Sequence, residues 1–191
     1  MSQPNNILDF WFGSPTQPEY GKPQRFWFNK QPEFDNELRT RFQQDYEQAA
    51  AGNLEDWKNN SEACLALILL LDQFPRNMFR NTPQAFATDP KAVVTAETAI
   101  SKGYDQQLLT VQRWFIYLPF EHSENIQHQE KAVKLFQQLS NDTESQSTID
   151  YAIRHLEIIQ RFGRFPHRNE ILGRISTSEE KEFLKQPGTS L

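Results

Sequence analysis

Cysteine is almost missing from this chain. Cys64 stands alone among 191 residues, so an intramolecular disulfide is excluded. Its place at the head of an apolar run suits a thiol acting as a small hydrophobe in a reducing compartment. Long hydrophobic runs are missing too, because the longest, residues 65–71, falls far short of the roughly 20 needed to cross a bilayer. No membrane association is expected. The first residues hold no basic stretch and Asp9 interrupts the first apolar cluster, so no secretory signal is expected and cytoplasmic residence is. An excess of positive charge is also absent: the net charge is −5 and the isoelectric point is near 5.4. Nonspecific nucleic-acid binding needs the reverse balance, since Lys and Arg must displace phosphate counterions. Hydrophobic residues make up only 37% of the chain, but 15 Phe, 4 Trp and 5 Tyr supply large side chains that compensate for scarce aliphatics.

Alternating segments are lacking, and helical punctuation takes their place. Ile7, Leu8, Phe10, Trp11 and Phe12 form a short apolar helix that Gly13 closes, followed by a loop with Pro15, Pro18 and Pro23. Pro32 opens a helix in which Phe34, Leu38, Phe42, Tyr46 and Ala49 recur every three or four residues as far as Gly52. Residues 62–71 are apolar on all sides, which marks a central helix that Pro75 bends or ends. Asp89 and Pro90 read as an N-cap and first helical position, with the helix running to Gly103. Val111, Trp114, Phe115 and Leu118 make a face expected to end at Pro119, and Ser123 is placed to cap the helix holding Ile126, Val133 and Phe136. A polar loop over 141–147 leads to the clearest amphipathic stretch, Ile149 to Phe162, closed by Gly163. Ser176 with Glu179, or Thr177 with Glu180, offers a capping box near the end, and the tail 186–191 is expected to fray. The pattern predicts one all-α domain over 1–191, a stack of about eight or nine helices with no exact internal repeat.

Three polar clusters interrupt the apolar pattern at helix ends, each with a proline and an aromatic: residues 72–77, 117–124 and 162–169. Asp72 and Arg76 are four apart and could clamp one another across a turn. Glu121, His122 and Glu124 place an imidazole among carboxylates, an arrangement suited to acid–base work. Five of the 11 arginines, at 154, 161, 164, 168 and 174, crowd the last cluster. They are expected either to hold a carboxylate or phosphate bidentately, with Asn169 adding backbone N–H groups, or to pair with Asp72, Glu121 and Glu124 inside the fold. His167 is the best-placed base because Arg164 and Arg168 favour its neutral form; His155 borders a buried stripe and reads as a core residue.

Motifs for nucleophilic, nucleotide or dinucleotide chemistry are absent, so no organic cofactor is expected. Glu124 and His128 are four apart, but neither Glu-x-x-His nor His-x-x-x-His occurs, and no metal ligands are assigned.

With these residues in place, the chain resembles the bacterial family known as domain of unknown function 924. The resemblance is carried by residues 8–13, 69–77, 86–89, 117–124 and 162–169 and spans nearly the whole chain. It implies a tetratricopeptide-like all-α fold and no established activity. The expectation is a pocket for a small anion, contacted by Asp72, Arg76, Arg164, Arg168 and Asn169. Glu121, His122 and His167 would be its acid–base groups in a hydrolysis or group transfer. The alternative is a noncatalytic helical scaffold that offers a groove to a peptide or protein. Nothing in the sequence sets an oligomeric state.

Overall fold

A computed structural model describes residues 2–189, and among them every regular element is helical. The described residues fall into two compact units: the first comprises Met1–Arg80 and Gln84–Pro119, the second Asn81–Pro83 and Phe120–Leu191.

The first unit is built around a helix with no polar face. Its elements are α1 (Pro4–Phe12), α2 (Pro32–Ala51), α3 (Ser61–Leu71), α4 (Gln73–Met78) and α5 (Asp89–Ser101), with most of α6 (Thr110–Glu121). Every residue of α3 from Cys64 to Leu71 is buried, which requires neighbours all round it; α1, α2, α4 and α5 supply them. Each buried leucine contributes about 1.5–3 kcal/mol. Burial also pushes the Cys64 thiol up to about 11, so it serves as packing. Asn60 caps α3, accepting from the backbone N–H groups of Glu62 and Ala63. The aromatics close the other side. Trp11 is fully buried and packs on Trp27, Phe74 and Phe115, while Trp27 Nε1 donates to the Trp11 carbonyl at 2.8 Å.

Prolines behave differently from the sequence expectation at two points. The break after α3 comes at Asp72, and Pro75 lies in the first turn of α4, where its missing N–H costs no intrahelical bond. Pro119, expected to end α6, lies inside it; the division between the two units falls just after it.

The second unit holds the end of α6 with α7 (Ile126–Gln137), α8 (Gln146–Phe162) and α9 (Ser178–Phe183). α7 packs along α8. The α7 cap is Asn125, whose side chain accepts from the Gln127 N–H; Ser123, expected there, instead hydrogen-bonds His128 Nδ1 at 2.9 Å. The polar loop is shorter than expected, since α8 begins at Gln146. Gly163 ends α8 at φ 68, the left-handed conformation that terminates helices and that side chains with a Cβ disfavour. Thr177 and Glu180 form the capping box of α9. The tail is held as far as it is described: the Gly188 carbonyl accepts from Arg154 and Thr189 donates to Gln186 at 3.0 Å. Positions 190 and 191 of the expected frayed tail lie outside the described residues.

Candidate functional site

Most of the predicted site residues belong to the second unit, where α6 ends, α8 passes and the 162–169 corner turns. Glu121 and His155 are both buried there. His155 Nδ1 is 3.1 Å from Glu121 Oε1 and 2.8 Å from the Tyr151 carbonyl. A carbonyl only accepts, so Nδ1 carries the proton and shares it between the two oxygens. Burial above all, then the charges of His122 and Arg168, push His155 down to about 3. The ring is neutral at physiological pH, and its protonated form is disfavoured too strongly for an effective base near neutrality. The His122 ring lies 6.4 Å from that of His155.

The corner itself is locked by arginines that each have a partner. Arg164 grips Glu180 through Nε and Nη2 at 2.7 and 2.8 Å, and that contact first, with the Thr177 N–H, holds the Glu180 carboxyl down at about 2. Arg174 grips Glu124 at 2.7 and 2.9 Å and donates to the Phe165 carbonyl at 3.0 Å. The Phe165 N–H returns to Glu124 at 2.8 Å. Arg168, buried, donates to the His122 carbonyl at 3.0 Å and lies 4.4 Å over the Phe165 ring. Asn169 is not at a helix start: its N–H donates to Pro166 and its side-chain amide to Ser176 at 3.0 Å. Burial, then Arg168, pushes His167 down to about 4. Glu121, His122, His155, His167 and Arg168 are thus gathered in one unit. Among the described residues, however, no three His, Cys, Asp or Glu side chains gather as a metal site requires.

Asp72 and Arg76 belong to the first unit. Arg76 Nη1 is 3.3 Å from Asp72 Oδ1 and 2.7 Å from the Asp72 carbonyl, as their spacing suggests. Its main partner is Asp89, bound through both Nη atoms at 2.8 and 3.0 Å. Asp89 was expected to cap α5, but the cap position belongs to Thr88 and Asp89 is the first residue of the helix.

Four residues beyond Arg76 the first unit opens a cavity of about 270 Å³. Its lining includes Asn77 and Met78, both buried, and Pro32 adds a second apolar group. Asp35, on the first turn of α2, accepts from Asn77 Nδ2 at 2.7 Å and from Arg80 Nε and Nη2 at 2.5 and 2.9 Å. The rim carries Lys30, Asn36 and Arg39, all exposed. Arg39 rests 5.7 Å over the Phe79 ring. Among the described residues neither Lys30 nor Arg39 has a carboxylate partner. Three cations face one carboxylate, an excess of two positive charges in a chain whose total is −5.

The model of a bacterial protein family of unknown function, DUF924, matches residues 7–188. The chain belongs to this family. It is also similar to the solved structure of the protein of unknown function ATU0120 from Agrobacterium tumefaciens, at 42% identity and a TM-score of 0.85, over 95% of this chain and 96% of that one. No curated protein matches the chain. The likeness to that solved structure bears out the all-α fold, and function is left to the chemistry of the sites. No helix of the described residues is long and apolar enough to cross a membrane.

The cavity residues escape a reading of the sequence for a specific reason. Asp35 and Arg39 are four apart on α2 and look like a solvated pair on one helix face. In the fold Asp35 turns to Arg80 and Asn77, and Arg39 is left without it. The one available signal was Asn77, the last residue of a stretch that carries the family resemblance, with Arg80 three residues beyond that stretch.

Proposed function

We propose that this protein binds a small anionic molecule in the cavity of its first unit. The observation that carries the proposal is a concave site whose rim cations, Lys30 and Arg39, have no internal counter-charge while the cation beside them, Arg80, is fixed by Asp35. A concave site with a local excess of one charge concentrates ions of the other sign, and this one does so on a molecule whose overall charge would repel them. Asp35 holds Arg80 in place through two hydrogen bonds, so the guanidinium is presented without the entropy loss of ordering it on binding.

Binding, and not acid–base catalysis, is the chemistry this lining supports. Its only carboxylate already accepts three hydrogen bonds, and its lining holds no histidine. The anion contacts are Lys30 and Arg39, which no carboxylate answers, with Arg80 Nη1 beside them, in place of the set expected at Asp72, Arg76, Arg164, Arg168 and Asn169; Arg76, Arg80 and Arg164 each already hold a carboxylate through two nitrogens. Mass spectrometry of small molecules retained by the purified chain tests the assignment. Anionic compounds should be present with the wild-type chain and absent from a Lys30→Ala/Arg39→Ala variant. Equal profiles from the two would overturn it.

A further inference from the structure

The charge of this cavity narrows the ligand to one class. Resting on the cavity being the anion site, we infer that its ligand is a phosphate monoester. The cavity, of about 270 Å³, is open to solvent, so its volume sets no upper limit on the body of the ligand; what the lining selects is the charged group that it meets.

The charge selects among small anions. Lys30, Arg39 and Arg80 together offer three cationic groups, and after Asp35 is counted two positive charges remain. A phosphate monoester near pH 7.5 carries close to two negative charges and three strong acceptor oxygens. A monocarboxylate carries one charge and two oxygens, and leaves one cation unanswered. Arg80 still has Nη1 to donate, because Asp35 takes Nε and Nη2, and Lys30 adds a mobile point charge. Asn36 at the rim has both an amide donor and an acceptor for hydroxyls on the ligand body. Asp35 is the positioning residue of this arrangement and Asn77 keeps its carboxylate turned toward Arg80.

Calorimetric titration of the full chain with glycerol 3-phosphate, and in parallel with glycerate, separates the two classes. The phosphate ester should bind at least about tenfold more tightly than glycerate at pH 7.5. Its affinity should fall about tenfold by pH 5, because its second ionisation lies near 6 and the lining contains no histidine to share the effect. Lys30→Ala/Arg39→Ala should abolish the heat of binding while circular dichroism shows unchanged helix content, both residues being exposed. Glycerate binding as tightly as the ester, and lost in the same variant, would overturn the phosphate assignment and leave the anion site standing. Ester binding undiminished in the variant, or no binding of either compound, would overturn both.

Discussion

Two groups of cations in this chain have opposite fates. Of the five arginines between 154 and 174, Arg161 pairs with Glu179, Arg164 with Glu180 and Arg174 with Glu124. Arg154 and Arg168 donate to backbone carbonyls. In the first unit Arg80 is fixed by Asp35 while Lys30 and Arg39, beside it on the same cavity, meet no carboxylate among the described residues. The denser cluster along the sequence is the one whose charges are answered inside the fold. Density of arginine shows how many internal partners a corner recruits. Capacity for an external anion is set by what remains after that pairing, in a place concave enough to use it.

The sharpest break of the locked corner is Phe165→Ala. Phe165 is fully buried with Ile158 and Ile159 and lies under Arg168, so the cavity left behind should cost about 3–5 kcal/mol. Thermal unfolding should shift down by roughly 10 °C. Acid should come next. His155 and His167 have their pKa values depressed to about 3 and about 4, so the unfolded chain binds more protons than the folded one between those values and about 6.5. The stabilisation is complete above about 6.5 and is lost as pH falls; from pH 7 to 5 the loss should be about 2 kcal/mol for His155 alone. Denaturant titrations at the two pH values should show it, and His155→Gln should roughly halve the difference, the remainder belonging to His167. A pH-independent midpoint would refute the neutral buried imidazole.

Arg174→Ala is expected to follow closely, at about 2 kcal/mol, since Glu124 keeps the Phe165 N–H but loses both guanidinium bonds. Lys30→Ala/Arg39→Ala should be smallest in stability, within about 0.5 kcal/mol, and largest in binding. A large stability loss there would mean that the two rim cations are structural after all.

The fold was legible in the sequence because its punctuation is local. Pro32 and Gly52 bracket α2, Gly163 closes α8 and Thr177 with Glu180 starts α9, each acting within a few residues. Boundaries failed where a distant contact decides. Asp89 lies inside α5 with its carboxylate on Arg76 while Thr88 takes the cap position, and Pro119 would end α6 were the helix judged by propensity alone. The candidate site was legible in part for the same reason. The gathering of Glu121, His122, His167 and Arg168 follows from clusters at helix ends. The partners that answer them do not: Glu180 lies 16 residues from Arg164 and Glu124 lies 50 from Arg174. Asp35 and Arg80 are 45 apart, so no local spacing shows that Arg39 loses its i,i+4 partner.

The most direct measurement compares the two regions in a single assay. Titration with inorganic phosphate, followed by calorimetry, is carried out on the wild-type chain, on Lys30→Ala/Arg39→Ala and on Arg164→Gln/Arg168→Gln, each first shown by circular dichroism to be helical. The first variant should lose at least about tenfold in affinity, which corresponds to 1.4 kcal/mol, and the second should bind as the wild type does. Loss of binding in the second variant with full affinity in the first would contradict the account and return the anion site to the 162–169 corner.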